Sequence, residues 1–122
     1  MHISNILVVD DCVSMRQVIV YTLVNAGYKV KEACNGKEAL DAVTGEDFDA
    51  VLTDINMPEM DGYTLIQRLR ALNNYKHTPI ITLTTECSTE SKKRGRDAGA
   101  TGWIIKPFNS EKLVSALHQL DV

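Results

Sequence analysis

The sequence predicts a doubly wound α/β domain, a single parallel sheet covered by helices on both faces. Short apolar runs recur at Ile6-Leu7-Val8-Val9, Ala50-Val51-Leu52, Ile80-Ile81-Thr82-Leu83 and Trp103-Ile104-Ile105. Each is too short for a buried helix and apolar at successive positions, as strands buried on both faces are. Between them lie stretches whose apolar residues recur at helical spacing. The two patterns alternate with no linker, repeat or low-complexity segment, and such alternation gives parallel strands joined by right-handed crossovers.

Each element has its own signal. The first helix carries Met15, Val18, Ile19, Leu23 and Ala26 as its expected apolar stripe. Ser14 with Gln17 has the spacing of a capping box, and Gly27 is placed to end the helix. Residues 28–33 read as a polar edge strand, because Lys29, Lys31 and Glu32 interrupt its apolar positions. Asn35 with Glu38 repeats the capping-box spacing before a helix carrying Ala39, Leu40 and Val43. A third helix is expected around Leu65, Ile66, Leu69 and Leu72, and a last one around Leu113, Val114, Leu117 and Leu120. The fourth, near residues 87–98, is weaker: Ser88, Thr89 and Ser91 are mediocre helix formers, and Gly95 costs about 1 kcal/mol against alanine.

Composition narrows the function. With 122 residues, the chain is expected to be one domain over 1–122 with no attached output domain. At 44% hydrophobic and 24% charged residues it is balanced for a self-sufficient core. A net charge of −3 gives no general attraction to nucleic acid or anionic lipid. No apolar run approaches the ~20 residues of a membrane span, and the N-terminus lacks a secretory pattern, so a cytoplasmic protein is expected. Cys12, Cys34 and Cys87 are odd in number and without metal-site spacing, which points to small thiols rather than a disulfide framework.

In doubly wound sheets ligands gather at the carboxyl ends of the strands. Asp10 and Asp11 follow the first apolar run, Asp54 the third, Thr84 the fourth, and Lys106 with Pro107 the last. Three carboxylates meeting at one rim repel one another, and a divalent cation removes that cost. All-oxygen ligation favours Mg²⁺, and His2, His77 and His118 lie elsewhere in the sequence. A lysine and a hydroxyl opposite the metal suit the oxygens of a phosphoryl group, with Asp54 as carboxylate nucleophile. Singly, each residue has an ordinary use as a helix cap, a solvated lysine or a turn. The specificity lies in their combination.

On these residues the chain resembles the response-regulator receiver domains, and within them the single-domain chemotaxis regulators of the CheY type. The matching segments are Ile6-Leu7-Val8-Val9-Asp10-Asp11, Asp54-Ile55-Asn56-Met57-Pro58-Glu59-Met60-Asp61-Gly62, Thr84-Thr85-Glu86, and Gly99-Ala100-Thr101-Gly102-Trp103-Ile104-Ile105-Lys106-Pro107-Phe108. The resemblance covers the whole chain. It implies a flavodoxin-like sheet of five strands in the order 2-1-3-4-5 with five helices. It further implies Asp54 as phosphoacceptor, and Asp10, Asp11, Asp54 and the backbone carbonyl of Asn56 as Mg²⁺ ligands. Lys106 and Thr84 would meet the phosphoryl group, Trp103 would occupy the aromatic switch position, and a cis peptide would join Lys106 to Pro107. Asn56 and Glu86 would flank the phosphoryl pocket and influence attack by water. Many chemotaxis receivers carry tyrosine or phenylalanine where Trp103 stands and a smaller residue at Thr85, so both positions depart toward bulk.

The expected partners are a histidine kinase as donor, a downstream target such as a flagellar motor switch component, and a phosphatase, with the receiver itself a monomer. The chain would catalyse only its own phosphorylation and dephosphorylation. The contact face is expected on the fourth helix, fifth strand and fifth helix. There Lys92, Lys93, Arg94 and Arg96 form either a basic patch for an acidic partner or a solvated helix face. Two rival functions are a phosphate sink with no target of its own and a small aspartyl-phosphate hydrolase. The hydrolase usually needs an acid where Asn56 stands.

Overall fold

The computed structural model describes residues 3–85 and 88–120. The five strands are β1 (Asn5–Val9), β2 (Lys29–Ala33), β3 (Ala50–Asp54), β4 (Ile80–Thr84) and β5 (Gly102–Ile105). They form one sheet in the order β2-β1-β3-β4-β5, and every neighbouring pair is parallel. The crossovers are α1 (Val13–Asn25), α2 (Gly36–Gly45), α3 (Gly62–Arg70), α4 (Thr89–Ala98) and α5 (Ser110–Leu120). A short 3₁₀ turn, Asn73–Tyr75, lies between α3 and β4 and was not expected from the sequence. It takes Leu72 out of the third helix, which ends at Arg70.

Alternation along the strands divides the core in two. Leu7, Val9, Val51 and Ile80 face one cluster with Leu65, Ile66 and Leu69 of α3 and Ala39 and Val43 of α2. Ile6, Val8, Leu52, Ile81 and Leu83 face the other with Ile19 and Leu23 of α1 and Leu113 and Leu117 of α5. This two-sided burial explains why the strand runs are apolar at every position rather than at alternate ones. β2, with one neighbour, is largely exposed except at Ala33, as its lysines and glutamate required.

Local chemistry sets the helix ends. Tyr28 N–H donates to the Leu23 carbonyl and Gly27 N–H to the Val24 carbonyl, and Gly27 takes φ +100°. This left-handed residue with its crossed pair of hydrogen bonds ends α1 where the sequence put the stop. Asn35 Oδ1 accepts the Glu38 N–H, and the Glu38 carboxylate accepts the Cys34 N–H in return, so the expected cap of α2 is present. Ser88 caps α4 through the Ser91 N–H.

The cap predicted at Ser14 is not formed. Asp10 Oδ1 accepts the Cys12 N–H at 2.9 Å and turns the chain early, so α1 starts at Val13 with Cys12 in the capping position. Ser14 is already inside the first turn. The apolar stripe assigned to α1 also needs correction. Ile19 and Leu23 are buried, but Val18 and Ala26 are exposed, and so are Val13, Tyr21 and Val24. Apolar residues encircle this helix, so periodicity alone does not identify its core face.

Candidate functional site

The site is built where β1 and β3 end side by side. Asp10 follows β1 and is completely buried. Its N–H donates to the Ala33 carbonyl and its Oδ1 accepts from Cys12, while Oδ2 is the one fully buried side-chain polar atom without a hydrogen bond among the described residues. Asp54 closes β3 with 8% exposure, and its Oδ1 accepts the N–H of Ile55 at 2.8 Å. Asp11, exposed, completes a group in which one carboxylate oxygen from each of the three residues lies within 4.8 Å of the other two. Lys106 Nζ stands 3.5 Å from Asp10 Oδ2 and 3.5 Å from Asp54 Oδ1.

The electrostatics follow from this crowding. Burial raises the pKa of the Asp54 carboxyl, and the neighbouring Asp10 charge adds to the rise. The Lys106 ammonium and the Ile55 N–H pull the other way without cancelling it. One ammonium against three carboxylates leaves the cluster short of positive charge. A hard divalent cation fits this donor set: three converging carboxylates, one of them with a buried oxygen that no hydrogen bond satisfies. Asp10, Asp11 and Asp54 would hold it.

Close packing fixes the height of Asp54. Gly62 opens α3 directly against the β3 end, and its N–H donates to the Ile55 carbonyl at 2.8 Å. A Cβ at Gly62 would lie 2.4 Å from the Asp54 carbonyl oxygen. The intervening loop carries Asn56, exposed two residues beyond Asp54. It then turns at Glu59, whose φ of 70° lies between a Pro58 carbonyl and a Met60 N–H joined at 2.8 Å. That γ-turn is a strained geometry for a residue with a side chain.

Thr84 ends β4, nearly buried, and its carbonyl accepts the N–H of Lys106 at 2.7 Å. The Lys106-Pro107 peptide is cis, as expected. Thr85 is exposed, and Glu86, expected beside the pocket, lies outside the described residues. Trp103 is not on the rim itself. It stands one strand away on β5, 38% exposed, across a small cavity from Thr84 that Ile55, Tyr63, Ser91 and Lys92 also line. Among the histidines, His118 lies on α5 near Tyr28 and His77 is exposed in the segment before β4, at the opposite pole from the carboxylates. His2 and Cys87 lie outside the described residues.

The family model described as the response regulator receiver domain matches residues 6–118. The chain belongs to this family. It is 40% identical over 117 residues to a chemotaxis protein CheY homolog of Campylobacter jejuni, covering 94% of this chain and 90% of that protein. It superposes on the crystallised chemotaxis response regulator CheY4 of Vibrio cholerae with a TM-score of 0.93 at 44% identity, over 97% of this receiver and 98% of that chain. A receiver domain of a Pseudomonas aeruginosa sensor histidine kinase, with a magnesium ion coordinated in its active-site cleft, matches at TM-score 0.88 and 30% identity, over 95% of each chain. This receiver is therefore of the CheY type, a signalling domain.

Two parts of the arrangement were not visible in the sequence. Arg16, from the first turn of α1, donates to the Asp10 carbonyl at 2.6 Å and pairs with Glu32 at 2.9 Å. Nothing in its spacing marks it. Three of the four cations on α4 also have partners within the fold. Lys92 lies 5.3 Å from the Trp103 ring centroid, Arg94 lies 4.2 Å from that of Tyr63, and Lys93 pairs with Asp97 at 3.1 Å. Only an aromatic partner on another element distinguishes such cations from solvated ones.

Proposed function

We propose that this receiver is the response regulator of a two-component phosphorelay, taking a phosphoryl group onto Asp54 and signalling by phosphorylation-dependent protein binding. The observation that carries the reading is the placing of Asp54 at the end of β3, within one cluster with Asp10 and Asp11 and 3.5 Å from Lys106. A carboxylate oxygen of Asp54 attacks the phosphorus of a kinase phosphohistidine, the P–N bond breaks, the imidazole leaves and an acyl phosphate forms. Lys106 attracts the phosphoryl oxygens, and Thr84 contributes its hydroxyl to them. Asp10, Asp11, Asp54 and the Asn56 carbonyl would hold Mg²⁺, which would supply charge neutralisation for the transfer. Water later cleaves the acyl phosphate in the same site, so the chain modifies only itself.

Likeness to CheY proteins supports a chemotaxis role in the cytoplasm, with a histidine kinase upstream, a target such as a flagellar motor switch component downstream, and a phosphatase resetting the signal. No helix among the described residues is long and apolar enough to cross a membrane. Added phosphoryl charge shifts a two-state equilibrium that Thr84 and Trp103 report. The test is incubation with a small phosphodonor with and without Mg²⁺, followed by mass and Trp103 fluorescence. Asp54→Asn serves as the control. A Mg²⁺-dependent phosphoryl adduct in the parent alone is expected, and its absence overturns the reading. Pull-downs with both forms separate a messenger from a sink: equal binding by phosphorylated and unphosphorylated protein favours the sink.

A further inference from the structure

Asp10 has a hydrogen-bond partner at every polar atom but one. Its N–H is held by Ala33 on β2, its Oδ1 by the Cys12 N–H, and its carbonyl by Arg16, which leaves only Oδ2 facing the carboxylate cluster. The Arg16 contact differs from the others because it is made by a side chain that is itself oriented. The Arg16 side chain is only 14% exposed, and its Nε donates to Glu32 Oε1 at 2.9 Å while a terminal nitrogen reaches the Asp10 carbonyl. Glu32 lies on β2 and Arg16 on α1, so this chain of contacts ties the edge strand and the first helix to the end of β1.

We propose that Arg16, aimed by Glu32, is a positioning residue that holds Asp10 Oδ2 in place for the divalent cation. The inference rests on the reading that Asp10, Asp11 and Asp54 bind that cation. Planar guanidinium geometry suits the task, because one fork satisfies a carboxylate and a carbonyl together. Residues that orient a metal ligand without touching the metal typically change affinity by about 10- to 100-fold when removed.

Charge and positioning make opposite demands on Arg16. If the guanidinium acted only as a nearby positive charge, Arg16→Gln would tighten Mg²⁺ binding and Glu32→Gln, which leaves that charge unbalanced, would weaken it. A positioning role weakens binding in both. The experiment is calorimetric titration of Mg²⁺ into the full chain, with thermal unfolding of the metal-free proteins alongside. Arg16→Gln and Glu32→Gln are each expected to raise the Mg²⁺ Kd about tenfold. Lys31→Gln, which removes a cation from the same strand, is expected to leave it unchanged. Tighter binding by Arg16→Gln overturns the proposal, as does an unchanged Kd in either variant with only a lower Tm. If Arg16→Gln does not fold, Arg16→Lys carries the test: lysine keeps the charge without the fork, a raised Kd is expected, and an unchanged Kd overturns the proposal. Failure of the parent to bind Mg²⁺ would instead sink the cation site itself.

Discussion

Gly62→Ala should damage the receiver although it is a change toward a better helix former. At the start of α3, the new methyl would stand 2.4 Å from the Asp54 carbonyl oxygen and 2.9 Å from Ile55 Cα, both of them backbone. An ordinary C···O contact is about 3.3 Å, so strand and helix must separate by about 0.9 Å. Taken wholly by α3, that movement would stretch the Gly62–Ile55 hydrogen bond from 2.8 Å to about 3.7 Å, beyond useful range. Overpacking costs about 1–3 kcal/mol and the lost bond about 1, against a gain of about 1 for alanine in a helix. The net is about 1–3 kcal/mol, which for a domain of this size lowers Tm by about 4–12 °C. Any share of the movement taken by β3 displaces Asp54 with its carbonyl, so phosphorylation by a small donor should slow about tenfold, given how steeply transfer depends on placement. Gly45→Ala is the counterpart. It lies at the end of α2 with nothing within 4 Å of its Cβ position, and should raise stability by about 0.5–1 kcal/mol. Thermal unfolding by circular dichroism and mass-resolved phosphorylation kinetics read both variants. A Gly62→Ala protein with parental Tm and rate would refute the reasoning.

Three further outcomes follow from the same site. Burial and Asp10 raise the folded pKa of Asp54 above its ordinary 3.8. Its carboxyl therefore favours folding fully only while protonated, at pH below the unfolded value, and that contribution is lost as pH rises through the folded pKa. Metal-free Asp54→Asn should thus melt higher than the parent at neutral pH, with the gap closing on acidification toward pH 3; a gap that widens in acid contradicts the assignment. Mg²⁺ at a hundredfold excess over its Kd should stabilise the parent by about 2.7 kcal/mol, reversibly with chelator, and Asp10→Asn should lose most of that gain in a thermal shift assay. Removing the cation over the Trp103 ring forfeits about 0.5–1 kcal/mol, so Lys92→Ala should move the Trp103 equilibrium about two- to fivefold, measured as a changed emission spectrum before phosphorylation. An unaltered spectrum would leave Lys92 no part in holding the indole.

The architecture was legible because its signals are repeated. Four apolar runs and their intervening helices each required the same layered sheet, and the two core clusters split along the alternation of those runs. Strand order was not legible from alternation, which admits several orders, and came only from family resemblance. Ser14 misled because a competing local turn, the Asp10 carboxylate on the Cys12 N–H two residues on, starts α1 before the Ser14–Gln17 pattern applies. The carboxylates and Lys106 were readable because a doubly wound sheet puts strand ends together. Arg16 was not, since its role depends on a side-chain reach to the Asp10 carbonyl that no spacing encodes. The α4 cations looked alike in sequence, and Lys92 and Arg94 are set apart by Trp103 and Tyr63 on neighbouring elements.

The proposed acceptor chemistry and its readout share a backbone. Lys106 N–H is bonded to the Thr84 carbonyl at 2.7 Å, so the two side chains proposed to meet the phosphoryl group stand on adjacent strand ends that cannot shift independently. Beside them, α4 is a helix of weak intrinsic propensity held by a serine cap, by Arg94 over Tyr63 and by Lys92 over Trp103. These are contacts of about a kcal/mol or less each, and the helix contributes only Gly95 and Ala98 as buried residues. α3, by contrast, buries Leu65, Ile66 and Leu69 completely. Displacing α4 therefore costs far less than displacing α3. A pull on Thr84 would be relieved on the α4 side, where Trp103 is exposed, rather than on the side where Gly62 locks α3 against Asp54.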